Sequence, residues 1–372
     1  IQNILRSAVY QLCYMDSIPD SAVCNEAVKL AQRKGFYSLK GFVNGVLRNI
    51  ARSKGHIPFP DREQPVEYLS VKYSMPVWLV EKWLGQLGFE KTEAMLAQFL
   101  KERPTSVYLR GSAEDRERTL ESLKRQGVTA EPAPYVEGAY YISGYNYLPA
   151  VEAFQEGCFQ VQDVSSMLAG EAAGFQKGDF VLDLCAAPGG KSLYAADKLQ
   201  GTGMVEARDL TSYKIGLLEE NMERCRVKNM RAVRSDATVL DKSCIGKADV
   251  VLADVPCSGL GVIGRKTDIK YKMTAQKQSE LVKLQRRILS NAAQYVKANG
   301  TLIFSTCTVD RAENEENLEW FLKNHEFEAE SLDEYLCEEL HSETTARGYL
   351  QLLPGTHGTD GFFLARLRKK EI

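Results

Sequence analysis

From residue 180 to the end of the chain, short apolar runs alternate with helical stretches, and that alternation leaves little choice of architecture. Parallel strands need crossovers long enough to hold helices, and the helices must cover both faces of the sheet. Strands are predicted at 180–184, 204–208, 230–234, 249–253, 301–305, 326–330 and 361–367, with helices beginning near Lys191, Thr211, Thr274 and Arg311. The fold class is α/β. Ligands on such sheets lie at the carboxyl ends of the strands, and this rim carries Asp183 to Lys191, Asp209, Asp236, Asp254 to Cys257, and Thr306 with Cys307. Every polar candidate falls on that one edge.

The stretch Val-Leu-Asp-Leu-Cys-Ala-Ala-Pro-Gly-Gly-Lys-Ser, residues 181–192, reads as a buried strand, a tight turn and a helix start. Two common glycine-rich loops nearly fit. A dinucleotide fingerprint requires G-x-G-x-x-G, and a phosphate loop requires glycine where Cys185 stands. The next predicted strand ends in Asp209, about 20 residues past the glycines, where a ribose diol would lie. A nucleoside with little or no phosphate fits better, and S-adenosylmethionine is the commonest such cofactor on a strand-turn-helix of this kind. An ordinary strand-to-helix turn is the bland alternative.

Upstream, helical spacing is predicted from Asn3 to Met15, after Pro19, and from about Ser38 to Lys54, where Arg48, Arg52 and Lys54 share a polar side. These helices form a small all-helical module. Its basic face is a candidate for RNA, against the plainer reading of solvated charge. Three prolines mark residues 56–65 as a linker. Helices follow at 64–73, 76–87 and 91–101, with Trp78 and Trp83 expected in the core. A strand at 105–110, a helix at 113–126 and strands at 129–133 and 140–143 make a small α/β insert, and a helix is expected over 161–173. The expected domains are therefore 1–56, 62–103, 104–160 and 161–372.

At 372 residues, with 44% hydrophobic and 26% charged side chains, the chain can bury two or three cores. No apolar run approaches the roughly 18 residues of a membrane span, and no secretory signal is present. The chain opens Ile1-Gln2-Asn3 without methionine, so the true start is expected to be missing. Nine scattered cysteines without a C-x-x-C pair argue against disulfides and zinc and for a reducing cytoplasm. A monomer without metal is expected. His56, His325, His341 and His357 lie outside the motifs.

The sharpest chemical feature is a pair of cysteines at the ends of neighbouring strands, Cys257 after Asp254-Val-Pro and Cys307 after Ser305-Thr. Either alone reads as a small hydrophobe; together they point to one cleft. Capping-box spacing from Asp310 to Glu313 predicts a helix start just beyond Cys307, whose dipole would favour a thiolate. Methyl transfer to cytosine C5 needs such a thiolate. Addition at C6 breaks the aromaticity and leaves an enamine whose C5 can attack a sulfonium methyl. A second acid–base group then helps release, and Asp254 is placed to share a proton with the ring N3. The base must be unstacked to reach the cleft. Spacing does not say which cysteine attacks.

The motifs Asp183-Leu-Cys-Ala-Ala-Pro-Gly-Gly-Lys191, Asp254-Val-Pro-Cys-Ser-Gly-Leu-Gly-Val262 and Ser305-Thr-Cys307 resemble the bacterial Sun/RsmB (Fmu) branch of the RNA cytosine-5 methyltransferases, and the resemblance covers essentially the whole chain. Residues 26–35 and 40–48 look like the later helices of a NusB-like RNA-binding domain, with its front helices missing. Residues 353–362 match the family's C-terminal loop and last strand. The resemblance implies a Rossmann-like methyltransferase sheet with an antiparallel last strand. It implies Cys307 as nucleophile and Cys257 in product release, with S-adenosylmethionine held by Cys185, Ala186, Ala187, Pro188, Gly189, Gly190, Lys191, Asp209, Asp236 and Asp254. It also implies 16S ribosomal RNA as substrate, at cytosine 967 in the RNA's own numbering. Gly264 and Thr267 depart from the family's usual arginine and proline, so that loop is expected to be more mobile. Lys266, Lys270 and Lys272 are candidate phosphate contacts. An RNA-binding or antitermination-like factor with an inert catalytic domain is the alternative, and a P-loop nucleotidase a third reading already weakened at Cys185.

Overall fold

The computed structural model describes residues 1–56 and 59–371. Its chain forms two compact units, Ile1–Lys72 and Tyr73–Ile372. Within the predicted linker, residues 57 and 58 lie outside the described residues.

The first unit contains helices α1 (Gln2–Tyr14), α2 (Asp20–Arg33), α3 (Lys40–Arg52) and α4 (Pro65–Lys72). Pro19 sits at the N-cap of α2, where its fixed φ suits a helix start. Residues at helical spacing, Ala8 and Leu12, Val23, Ala27 and Ala31, Val43 and Leu47, close one apolar core. Arg48 and Arg52 stay exposed on α3, while Lys54 pairs with Asp20 at 3.1 Å.

The second unit begins with α5 (Val77–Leu87) and α6 (Phe89–Phe99), separated by Gly88 at φ +76°. Trp83 is fully buried there against Phe99, whereas Trp78 is only partly covered. Next comes a small antiparallel sheet built from β1 (Thr105–Leu109), α7 (Ala113–Arg125), β2 (Thr129–Pro132), β3 (Ala139–Ser143), the short α8 (Glu152–Gln155) and β4 (Phe159–Val161), in strand order β2-β3-β1-β4. β4 corrects the expectation of a helix from residue 161. Val161 pairs with Val107 at the sheet edge, and the helix α9 (Val164–Ala173) starts only after Asp163, whose carboxylate caps the Ser165 N–H at 3.0 Å.

The large sheet is assembled from β5 (Phe180–Asp183), α10 (Gly190–Lys198), β6 (Met204–Asp209), α11 (Ser212–Arg224), β7 (Met230–Arg234), β8 (Ala248–Asp254), α12 (Ile269–Lys272), α13 (Ala275–Tyr295), β9 (Val296–Thr306), α14 (Glu315–Asn324), β10 (Phe327–Ala329), α15 (Glu343–Ala346), β11 (Tyr349–Leu352) and β12 (Phe362–Lys369). The strand order is β10-β12-β9-β8-β5-β6-β7, with β11 paired to β12. β5 to β9 run parallel, and β12 lies antiparallel to β9, as the resemblance implied. Successive side chains of β5 serve opposite faces: Val181 enters one core and Leu182 the other. The order reverses between β6 and β8 on either side of β5. A crevice opens at such a switch point, and that is where ligands bind on open α/β sheets.

Candidate active site

The loop after β5 folds back on itself before α10. Gly189, at φ +115°, makes the turn, and a side chain there would press on Leu218 at 3.1 Å. A Cβ at Gly190 would already touch Gln162 at 3.4 Å, so the loop lies close against the segment entering α9. Beside it opens a cavity of about 540 Å³ lined by Asp183, Cys185 to Pro188, Gly190, Lys191, Asp254 and Cys307. The far wall is formed by Ser106, Gln162, Asp163, Arg265, Lys266, Asp360 and Phe362.

Asp183 closes β5 with a buried carboxyl. Ser192 donates to its Oδ2 at 2.6 Å, while Oδ1 has no partner. Burial raises its pKa from 3.8 to about 7. Lys191 extends from the first turn of α10 to Asp254 Oδ2 at 2.7 Å, and Ser305 donates to the other oxygen at 2.9 Å. Lys191 Nζ also lies 5.1 Å above the Phe362 ring.

The two thiols meet. Cys257 Sγ and Cys307 Sγ are 3.3 Å apart, delivered by the loop after β8 and by the end of β9. Of the two, Cys307 lines the cavity and Cys257 stands behind it. The Cys257 S–H donating to Cys307 holds the Cys307 thiol below its ordinary value, with help from the charges of Lys191 and Lys266 and against burial and Asp254. The same bond pushes Cys257 well up, together with burial and the charge of Glu313. Burial also raises Cys185. Among the three, Cys307 is the thiol poised to ionise.

The helix expected just beyond Cys307 does not form there. Residues 311–314 are turns, α14 starts at Glu315, and Asp310 caps Ala312 instead of forming a reciprocal box. Thiolate support comes from Cys257 and the lysines rather than from a helix end. The reason lies in Glu313, whose side chain turns inward to Ser258, Gln278 and Gln285 and cannot reach back to Asp310.

Three of the expected cofactor contacts do not line the cavity: Gly189, which makes the turn beside it, and the carboxylates of Asp209 and Asp236. Asp209 is buried, taking the N–H groups of Ala187 at 3.0 Å and Leu210 at 2.7 Å and the Lys214 ammonium at 2.9 Å; it braces the glycine loop. Asp236 is exposed and occupied by its own turn, with Thr238 bonds holding its carboxyl below the usual range. Of the three lysines expected at phosphate, Lys266 lines the cavity, Lys270 is buried beside Tyr271, and Lys272 pairs with Asp268. The loop expected to be mobile is anchored at Gly264, which lies against Phe99, and at Arg265, which bridges Asp360 at 2.7 Å and Asp163 at 3.2 Å.

Sequence reasoning placed Asp183 on the ligand rim by its position at the strand end but gave it no role at the cofactor. It missed Gln162, Asp163, Arg265 and Asp360, which the small sheet, the loop after β8 and the start of β12 bring together from distant stretches. No local motif marks Gln162 or Asp163, while Arg265 and Asp360 lie inside stretches the sequence had singled out without being picked from them.

A family model described as 16S rRNA methyltransferase RsmB/F matches residues 173–368, and one described as the NusB family matches residues 1–52. A probable ribosomal RNA small subunit methyltransferase B from Bacillus subtilis is 37% identical over 99% of this chain and 82% of its own length. One from Synechocystis is 30% identical over 99% of this chain and 83% of its own. The solved structure of PH0851 superposes with a TM-score of 0.82 at 28% identity, covering 98% of this chain and 81% of that one. Sheet, switch-point cavity and relatives together define an S-adenosylmethionine-dependent ribosomal RNA methyltransferase. Within that class, the chain belongs to the RsmB/F family of 16S rRNA methyltransferases.

The cavity suits the cofactor. A buried, unpartnered Asp183 oxygen is an acceptor for a cationic group, and the turn at Gly189 and Gly190 leaves backbone rather than side chains beside the space. Among the described residues, no helix is long and apolar enough to cross a membrane.

Proposed function

We propose that the chain methylates C5 of one cytosine in 16S ribosomal RNA, cytosine 967 in the RNA's numbering by family resemblance, acting as a monomer in the cytoplasm. The observation that carries this reading is the thiol pair at the switch point, in which the cysteine facing the cavity is also the one whose thiolate is favoured.

Cys307 attacks C6 of the unstacked base, forming a C–S bond as the C5–C6 π pair moves toward C5. Asp254, fixed by Lys191 and Ser305, hydrogen-bonds the N3 edge and stabilises the adduct. Asp183 and the backbone of Cys185 to Lys191 would hold S-adenosylmethionine, with Asp209 bracing the loop from beneath, and the bound cofactor would supply the electrophilic methyl group for the activated C5. A solvent water takes the C5 proton, and the electron pair of that C–H bond forms the C5–C6 double bond and expels Cys307 as its thiolate, which the Cys257 S–H, 3.3 Å away, stabilises by a hydrogen bond. The RNA is held by the helices of the NusB-matching segment, by the small sheet at 104–160, and by Lys266 and Arg265 at the cavity wall.

Incubating the protein with labelled cofactor and unmodified small-subunit RNA, then mapping 5-methylcytosine, tests the reading. A single methylated cytosine is expected. RNA binding without label incorporation would instead identify an inert binding factor, and label on another base or ring position would reject the mechanism.

A further inference from the structure

Glu313 is completely buried, and four donors converge on its carboxylate: the Ser258 N–H at 2.9 Å, the Ser258 hydroxyl, Gln278 Nε2 at 3.0 Å and Gln285 Nε2 at 2.8 Å. Among the described residues, none of the ion pairs found involves Glu313; the nearby Lys82 is committed to Asp310 and Gln278. A carboxylate buried on neutral donors alone is an expensive way to fill space. Its partners show what it holds. Ser258 follows Cys257 directly, and Gln285 also donates to the carbonyl of Pro256, which precedes it, at 3.0 Å. Ser258 Oγ in turn meets Thr308 Oγ1 at 2.8 Å, on the residue after Cys307. The chain on both sides of Cys257 is thus tied to one carboxylate. Cys307, beyond that Thr308 contact, has anchorage that does not involve Glu313: Thr306 pairs with Phe363 in the sheet, and the Cys307 carbonyl accepts the Gly261 N–H at 3.1 Å.

We propose that Glu313 is a positioning residue for Cys257, holding that thiol against Cys307 so that the release step proceeds, while the attack by Cys307 does not depend on it. This rests on the assignment of attack to Cys307 and release to Cys257. The charge of Glu313 also works to keep Cys257 in its protonated form, the form that can donate a hydrogen bond to the leaving sulfur.

The test compares the full-length Glu313→Gln protein with wild type and Cys257→Ala, using unmodified small-subunit RNA and S-adenosylmethionine. Gln offers fewer acceptor lone pairs to four donors, so at least one partner near Cys257 is released. Steady-state turnover should fall about tenfold, the factor implied by losing one hydrogen bond to a charged group. Cofactor affinity should stay unchanged, and a denaturation-resistant protein–RNA band should accumulate, then vanish when Cys307→Ala is added. A merely structural role would lower turnover and adduct together. That parallel loss, or wild-type turnover without a band, overturns the proposal. Should Glu313→Gln fail to fold, Ser258→Ala removes one of the four donors and must give the same pattern in weaker form; absence of a band there overturns it equally. If Cys257→Ala itself accumulates no band, the assignment of the two cysteines fails first, whatever Glu313 does.

Discussion

Asp183→Asn should make the cofactor-free protein more stable while weakening its hold on the cofactor. Asp183 is 1% exposed, bonded through one oxygen to Ser192, with its other oxygen unpartnered in the cavity wall. Burial carries its pKa from 3.8 to about 7. A carboxyl held above its unfolded value binds its proton more tightly in the folded chain, so the stability it contributes is present at low pH and lost as pH rises toward 7. At about 1.4 kcal/mol per pH unit, that interval amounts to roughly 4 kcal/mol. An asparagine keeps the Ser192 bond and has no charge to bury. The variant should therefore gain on wild type by about 4 kcal/mol between pH 4 and pH 8. Urea unfolding of both proteins across that range, without cofactor, measures the difference. Calorimetry at pH 8 should show S-adenosylmethionine binding at least tenfold weaker, the factor for losing one charge-assisted contact of about 1.4 kcal/mol. A stability difference that stays flat with pH would refute the claim that this carboxyl is desolvated, and unaltered affinity would refute its role at the cofactor.

Peptide-resolved alkylation with iodoacetamide near neutral pH should modify Cys307 ahead of Cys185 and Cys257, because its thiolate is favoured and faces the cavity, while its bond to Cys257 together with burial pushes Cys257 up and burial pushes Cys185 up; uniform labelling of the three would contradict this. Gly261→Ala should cost about 2–4 kcal/mol in urea unfolding, since a Cβ there would sit 2.1 Å from the Gly361 carbonyl oxygen, where three backbone segments meet beside Cys307. Arg265→Ala strips one cation from Asp163 and Asp360 and one donor from the cavity wall. The Michaelis constant for RNA should rise roughly tenfold, the equivalent of about 1.4 kcal/mol, with cofactor affinity unchanged; the reverse pattern would place Arg265 at the cofactor.

What could be read from the sequence follows from what is local in it. β5 to β9 announced themselves because buried parallel strands are continuous apolar runs bounded by turn residues, and the strand-end rule put Asp254, Cys257 and Cys307 on one rim, where Asp254 and Cys307 line the cavity and the two thiols lie 3.3 Å apart. β4 and β11 escaped notice because the stretches Phe159-Gln-Val161 and Tyr349-Leu-Gln-Leu352 are short and interrupted by glutamine, so neither stands out as an apolar run. The start of α14 was misplaced because Asp310 and Glu313 have the spacing of a reciprocal cap, and only the fold reveals that Glu313 spends its carboxylate on α13 and the Cys257 loop. Asp209 and Asp236 looked alike as strand-end carboxylates. Yet one braces the glycine loop and the other closes its own turn, a distinction set by neighbours more than 20 residues away in the first case and by Thr238 in the second. The far wall of the cavity is assembled across the second unit, and apart from Lys266 and the stretch ending at Phe362 its residues have no signature along the chain.

The most direct test of the central claim is to incubate Cys257→Ala with S-adenosylmethionine and unmodified small-subunit RNA, digest the product, and locate the nucleotide-bearing peptide by mass spectrometry. The attacking thiol is expected to be Cys307, with a methylated cytosine attached through its sulfur. A nucleotide found on any other residue, or methyl transfer that continues in Cys307→Ala, would contradict the account.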